Sequence, residues 1–136
     1  MNKNNIIYAS GFIDGEGCIT TAGYSFRLTI SSTDKGILLW FQQTFGGCFN
    51  NQYLPANPNH NMAWKWILSK KKELNSFLKE IYPHLKLKKA QAKAVIDYLD
   101  KYPSQRTGGK TTQLQREEFL TVKKLVRSLK TDKHLF

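Results

Sequence analysis

The architecture of this chain follows from nine residues near its N-terminus, Ala9-Ser10-Gly11-Phe12-Ile13-Asp14-Gly15-Glu16-Gly17. They complete a helix that we predict over residues 4–15, in which apolar residues recur at helical spacing and Asn4 or Asn5 provides the N-cap. Gly11 and Gly15, four residues apart, leave one helix face without side chains, at about 0.5–1 kcal/mol each relative to alanine. Such a face is either a sign of a frayed helix or a groove for a second, closely packed helix.

The residues after Gly17 alternate between apolar and polar side chains, which is typical of β-strands. The predicted strands lie at 18–22, 26–31, 48–53 and 63–68. The predicted helices that follow lie at 35–45, 69–81, 88–101 and 112–129. This order, αββαββα with C-terminal helices after about residue 83, predicts a single α+β domain over 1–136, in which helices cover one face of a four-stranded antiparallel sheet.

Local signals mark the ends of several of these elements. Gly23 is predicted to form the turn of the first strand pair. Asp34 caps the second helix, and Gly46-Gly47 ends it. Thr112 and Gln115 form a capping box for the last helix. These signals fix where the chain turns without reference to tertiary contacts.

The face of the sheet that the helices leave open is predicted to be polar. Its outward residues are Thr20, Ser25, Arg27, Thr29, Asn50, Gln52 and Lys65. Antiparallel sheets commonly expose one hydrated face to solvent. The same residue types also read base edges in DNA grooves, so the open face is either an ordinary solvated surface or a base-reading one.

Composition restricts the possible functions. The 136 residues include 21 Lys and Arg against 10 Asp and Glu, a formal charge of +11, and most of the excess lies after residue 68. That charge is either spread over solvated helix faces or forms a phosphate-binding surface, and nucleic acid is the partner we favour over a membrane. No apolar run is long enough for a bilayer, and the N-terminus lacks the features of a secretory signal. Cys18 and Cys48 form no metal-binding or disulfide pattern, so we expect an intracellular, soluble protein with reduced thiols.

Two patches of sequence carry a resemblance to a known family. The core Gly11-Phe12-Ile13-Asp14-Gly15-Glu16-Gly17 resembles the motif of the LAGLIDADG homing endonucleases. The segment Leu85-Lys86-Leu87-Lys88-Lys89-Ala90-Gln91-Ala92 is similar to the one in which that family keeps an active-site lysine. The resemblance implies a nuclease that uses Mg2+ or Mn2+ to hydrolyse double-stranded DNA at a long, pseudo-palindromic site.

The resemblance also implies a homodimer, because the chain holds one motif and no internal repeat. Two motif helices would pack through Tyr8, Gly11, Phe12 and Gly15, and the two sheets would form a saddle over DNA. The predicted DNA-contacting residues are those of the open face together with Tyr24, His60 and Asn61.

Catalytic roles are carried over by position. A carboxylate at a helix C-terminus is disfavoured by about 0.3–1 kcal/mol, and two such ends meeting in a dimer would need cations between them. The resemblance therefore makes Glu16 a metal ligand, assisted by the carbonyl of Gly15, whereas Asp14 is expected to be structural. Lys88 is either a catalytic cation beside the scissile phosphate or one more solvated lysine.

The peripheral active site departs from the family pattern. Family members often place a polar residue at the end of the second strand, where the gapless register of this chain has Ile30. The adjacent Ser31 is assigned this role, and Lys35 is assigned that of the basic helper that follows. Two other functions stay open from sequence: a non-cleaving DNA-binding regulator and an RNA-binding maturase acting on intron RNA.

Overall fold

The computed structural model describes residues 2–53, 63–103 and 112–132. Its helices are α1 (Lys3–Glu16), α2 (Lys35–Phe45), α3 (Lys71–Ile81), α4 (Lys89–Lys101) and α5 (Gln113–Asp132), with a 3-10 turn at Tyr82–His84. Its strands are β1 (Gly17–Ala22), β2 (Ser25–Ser32), β3 (Cys48–Tyr53) and β4 (Ala63–Leu68). The predicted α+β class and the αββαββα order are confirmed.

Local capping explains where the helices begin and end. The Asp34 side chain accepts the Ile37 N–H at 3.2 Å, and the Thr112 hydroxyl accepts the Gln115 N–H at 3.1 Å, as predicted. The prediction of Asn4 or Asn5 as the first N-cap is wrong. α1 begins one residue earlier, so the Asn2 side chain is the cap and accepts the Asn4 N–H at 2.8 Å.

The Gly46-Gly47 pair ends α2 through left-handed backbone, with φ of 84° and 86°. Gly47 is restricted twice, because a Cβ there would also lie 2.7 Å from the Ile67 carbonyl oxygen. The Trp66 indole N–H donates to the Gly46 carbonyl at 2.8 Å and fastens this turn to β4. The turn therefore requires glycine for both conformational and steric reasons.

The four strands form one antiparallel sheet in the order β1-β2-β4-β3, so β1 and β3 are its edges. The β1–β2 register pairs Gly17 with Ile30 and Thr20 with Arg27. On β2 and β4 the buried residues alternate with less buried ones, and Leu28, Ile30, Trp66 and Leu68 are fully buried. Because alternate residues face opposite sides of a sheet, this fixes one face toward the helices and leaves the other uncovered by them.

The core lies between the inward sheet face and the helices. Its largest fully buried side chains include Trp66, Phe41 and Phe77. The Trp66 ring packs against both phenylalanines, with centroid distances of 5.1 Å to Phe41 and 5.9 Å to Phe77. α5 joins this core through Phe119, which packs 4.7 Å from the Phe26 ring. Within the described residues, no helix has the length and apolar character needed to cross a membrane.

Candidate active site and nucleic-acid interface

The site is built around the point where α1 meets β1. Glu16 is the last helical residue and its side chain is exposed, and Gly17 begins the strand. A Cβ on Gly17 would lie 2.8 Å from the Ile13 carbonyl oxygen, so this junction needs glycine in order to turn directly from helix to strand. Glu16 is thereby held at the C-terminus of α1, at the start of the edge strand.

Asp14 ties this helix end to a distant segment. Its carboxylate accepts three consecutive backbone N–H groups, those of Lys86 and Leu87 at 2.9 Å and that of Lys88 at 2.8 Å. Burial acts to raise the pKa of Asp14, but these three donors and the nearby Lys88 ammonium outweigh it and hold the pKa below its ordinary value of 3.8. The carboxylate also lies at the N-terminal end of α4, where the helix dipole favours it. Asp14 is structural, as expected from the sequence.

Lys88 is buried, with only 6% of its surface exposed. Its ammonium donates to the Asp14 carbonyl at 2.7 Å, two residues before Glu16. A buried ammonium at a helix C-terminus interacts favourably with the negative end of the helix dipole. The interpretation of Lys88 as one more solvated lysine is therefore wrong, and the structure brings it to the same end of α1 as Glu16.

The end of β2 passes the same junction. Ile30 pairs with Gly17 and is fully buried, so it cannot present a polar group, whereas the next residue, Ser31, is exposed on the open face. Ser31 follows the residue that pairs with Gly17, which brings it to the level of Glu16 along the sheet. Lys35 is exposed at the start of α2, and no contact joins it to Glu16 or Ser31 among the described residues, so its catalytic role stays a prediction.

The register shows which polar residues share the open face. Thr20 pairs with Arg27, Ala22 with Ser25, and Lys65 with both Ser31 and Asn50. Thr29 shares this face but is only 9% exposed, because it sits between Cys18 and Ile67 and donates its hydroxyl to the Cys18 carbonyl at 3.3 Å. The expected exposure of Thr29 is therefore wrong, and a less polar row crosses the middle of the face.

Tyr24 differs from expectation. Its ring packs 5.7 Å from Phe119 and lies under the guanidinium of Arg116 at 5.2 Å, so it contacts α5 rather than the open face. The place of Tyr24 in the hairpin turn suggests contact with DNA, which stays a prediction because Tyr24 is 42% exposed, but no local pattern reveals that α5 packs beside that turn. His60, Asn61 and the side chain of Gln52 lie outside the described residues.

A second face of α1 is uncovered. Gly11 and Gly15 are exposed, and a Cβ at either position would meet no described atom within 4 Å. Next to them Ile7 and Tyr8 are 45% and 53% exposed, which is unusual for large apolar side chains on a helix that packs in a core. The Tyr8 ring packs edge-on against Trp40 at 5.3 Å, and this pair lines an open groove of about 580 Å³. The resemblance places Tyr8 at this face, whereas the contact between Tyr8 and Trp40 joins residues 32 positions apart and could not be predicted from the motif.

The oxygen ligands where α1 meets β1 provide only part of a site for a divalent cation. Within the described residues of one chain, no group of three or more His, Cys, Asp or Glu side chains lies close enough to hold a metal. Glu16 supplies one carboxylate, and helix geometry leaves the last carbonyls of α1, including that of Gly15, without intrahelical donors. Both are hard oxygen ligands of the kind that Mg2+ prefers, so one chain supplies part of a site that a second chain would complete.

Comparison with known proteins gives consistent results. The chain is 31% identical over 112 residues to the DNA endonuclease I-CreI of Chlamydomonas reinhardtii, and the match covers 76% of this chain and 67% of that protein. No model of a known protein family matches the chain.

Two solved structures show the same fold. The homing endonuclease I-CvuI, crystallised with a DNA target and Mg, has a TM-score of 0.60 at 22% identity, covering 91% of this chain and 95% of that one. The LAGLIDADG homing endonuclease I-GzeII, in complex with its DNA target, has a TM-score of 0.65 at 22% identity, covering 91% of this chain but 44% of that one. The fold of this chain thus spans nearly all of the first protein and less than half of the second.

Proposed function

Because this chain belongs to the LAGLIDADG homing endonuclease family, we propose that it is a site-specific endonuclease that hydrolyses double-stranded DNA as a homodimer. The observation that carries this proposal is that a buried lysine and an exposed carboxylate lie at the same end of α1. Lys88 donates to the Asp14 carbonyl, and Glu16 follows two residues later at the same helix end. A protein that only bound DNA would gain nothing from an exposed carboxylate facing phosphates.

Metal binding is assigned to the end of α1. Glu16 and the Gly15 carbonyl would hold Mg2+ or Mn2+ together with the same groups of a second chain. The I-CvuI structures with Mg and with Ca support a divalent ion. Such an ion, when bound, supplies positive charge that stabilises the entering and leaving oxygens of a phosphodiester.

Side chains of this protein stabilise the phosphate charge and position the reacting groups. The Lys88 side chain offsets negative charge that develops on the scissile phosphate. Asp14 fixes the turn at residues 86–88, so the Lys88 side chain starts from a rigid backbone. Ser31 presents a hydroxyl at the level of Glu16 that can orient a water molecule. Lys35 is proposed as a more distant basic helper.

The homodimer is proposed from the uncovered face of α1. Two copies of the Gly11 and Gly15 face can approach closely because neither carries a side chain, and Tyr8 and Phe12 flank that contact. A twofold axis there brings the two Glu16 residues together, one for each DNA strand. A dimer also places two chains, each with a formal charge of +11, on a single duplex, so the affinity for DNA should fall steeply as the salt concentration rises.

DNA recognition is assigned to the open face of the sheet. Arg27, Lys65 and Asn50 are the types that donate to or accept from base edges in the major groove, and Thr20, Ser25 and Ser31 add hydroxyls. The less polar row at Thr29 separates these groups into two clusters, which predicts two short stretches of base contact in each half-site.

Cleavage selection on a randomised DNA library with Mg2+ tests the proposal. We expect the wild type to enrich a pseudo-palindromic site and Glu16→Gln to bind that site without cutting it. Glu73→Gln, which removes an exposed carboxylate from the first turn of α3, is the matched control and should cut normally. Equal cutting by Glu16→Gln and wild type would remove Glu16 from the mechanism, and binding without cutting by the wild type would favour a DNA-binding regulator.

A further inference from the structure

A pocket of about 310 Å³ lies between β1 and α5, beside the open face of the sheet. α5 lines it with three cationic side chains, those of Lys123, Arg127 and Lys130, and β1 adds the hydroxyl residues Thr20 and Thr21. Among the described residues that line the pocket there is no carboxylate. The other lining residues, Ile19, Phe26 and Val126, are apolar, so every charged side chain of the described lining is positive, which favours an anionic ligand.

The three cations are aligned by the helix and fastened to the strand. Residues 123, 127 and 130 follow the spacing that stacks side chains on one helical face. The Lys130 ammonium donates to the Ile19 carbonyl and lies 3.4 Å from the Cys18 sulfur, while the buried Val126 anchors the same turn of α5 in the core. The packing of α5 therefore fixes where these three cations lie relative to β1.

The outer edge of β1 adds backbone donors. β1 is an edge strand, and the Ile19 carbonyl that Lys130 reaches points away from β2. In an antiparallel strand the N–H groups of alternate residues point to the same side, so the Thr21 N–H also faces this outer edge. An anion in the pocket would meet this N–H, the hydroxyl of Thr21, which shares the inward side of β1 with Ile19, and the cations of α5.

We propose that this pocket binds a backbone phosphate of the DNA duplex, and this inference rests on the proposed function. Thr20 lines the pocket and also belongs to the open face, since it pairs with Arg27, so the pocket borders the surface on which the duplex is proposed to lie. The pocket volume is roughly that of ten water molecules in the liquid, which is enough for a phosphate group and some of its bound water. Lys123 and Arg127 contact the phosphate oxygens, and Lys130 holds the strand edge in place.

A salt titration of duplex binding tests this site. The probe is a fluorescently labelled, mixed-sequence duplex, and the proteins are the full chains of the wild type, the double variant Lys123→Gln/Arg127→Gln, and Lys124→Gln. Lys124 is exposed on α5 and does not line the pocket, so its variant removes a charge from the same helix without changing the pocket. Unchanged circular dichroism and melting temperature establish that each variant is folded.

We expect the double variant to bind more weakly and with a shallower dependence on salt. If each subunit of the variant neutralises one phosphate fewer, the slope of log K against log salt becomes shallower by about 0.9 per subunit, or about 1.8 per dimer. The affinity ratio of wild type to variant should therefore be on the order of tenfold larger at about 50 mM than at about 200 mM salt. Lys124→Gln should keep nearly the wild-type slope.

Equal slopes for the double variant and Lys124→Gln would overturn the phosphate site. A wild-type protein that binds single-stranded RNA but no duplex would overturn both the site and the proposed function. A wild type that binds duplex through Lys123 and Arg127 but never cleaves would remove the nuclease function and leave the phosphate site supported.

Discussion

The two faces of α1 have opposite surroundings within the same chain. One face, formed by Ile6, Ala9, Ser10 and Ile13, is fully covered by the protein's own core, and Ser10 donates to the Ile6 carbonyl at 2.6 Å. The other face, with Gly11, Gly15, Ile7 and Tyr8, is exposed and includes two large apolar side chains. An exposed patch of large apolar side chains is typical of a surface that contacts another molecule, and one chain buries only one side of this helix.

This difference explains why the motif combines good core residues with poor helix formers. Ile13 and Ala9 give the helix its place in the fold, so the glycines need not contribute to stability in the single chain. Gly11 and Gly15 instead leave space on the far side, where a Cβ would meet no described atom. The helix end then carries Glu16 out of the core and, in the proposed dimer, toward a second copy. Fold and proposed catalysis therefore depend on different faces of one helix.

The largest effect is expected on the covered face. Ile13→Ala removes a side chain that is 1% exposed, and it should lower the free energy of unfolding by about 2–5 kcal/mol through reduced burial and a residual cavity. Urea unfolding monitored by circular dichroism at several protein concentrations measures this change. The change should be the same at every concentration, because Ile13 packs within one chain.

Ile7→Ala is the matched control for that experiment, since it removes the same atoms from the uncovered face. It should leave the unfolding of dilute protein nearly unchanged and destabilise only concentrated protein, where dimers form. A destabilisation by Ile7→Ala as large as that by Ile13→Ala in dilute protein would remove the distinction between the two faces.

A second, smaller effect is expected on the uncovered face. Gly11→Leu meets no described atom within 4 Å in the single chain and replaces glycine by a better helix former, so the isolated subunit should not be destabilised. In the dimer the leucine would overfill the helix contact, which costs about 1–3 kcal/mol. Sedimentation equilibrium should show dissociation at concentrations about 5- to 150-fold higher than for the wild type.

The control for Gly11→Leu is Thr121→Leu, which places a leucine at an exposed position on α5 instead of α1. It should leave the dimer dissociation constant close to that of the wild type. Tighter association by Gly11→Leu would show that the two helices do not meet at Gly11.

Much of the fold was predictable because it depends on neighbouring residues. Alternation along β2 and the caps at Asp34, Gly46 and Thr112 all act over a few positions, and the structure confirms them. The features that sequence reasoning missed depend on distant contacts. Asp14 and Lys88 are 74 positions apart, so no local pattern reveals that Lys88 is buried. The surroundings of Tyr24 were unpredictable for the same reason, because α5 lies far along the chain from the turn that it contacts.

The link between the two regions is Asp14, which lies at the end of α1 where core and proposed site meet. Asp14→Asn keeps the shape of the side chain but removes the charge that accepts three backbone N–H groups. We expect the free energy of unfolding to fall by about 1.5 kcal/mol, near the lower range for hydrogen bonds to charged groups. If Lys88 acts on the phosphate, cleavage should also fall more than DNA binding does, because the 86–88 turn would no longer fix its backbone.

The pH dependence of that destabilisation separates the charge of Asp14 from its shape. The pKa of Asp14 lies below 3.8 in the folded protein, so its carboxylate stabilises the fold above the ordinary pKa and ceases to do so as the pH falls through the lower, folded value. Wild type and Asp14→Asn should therefore differ most near neutral pH and converge in acid, measured as urea midpoints at successive pH values. Asp97→Asn, which alters an exposed carboxylate paired with Lys93, is the control and should change these midpoints little. A difference for Asp14→Asn that stays constant into acid would mean that the carboxylate charge does not hold the turn, and that Lys88 is positioned by packing alone.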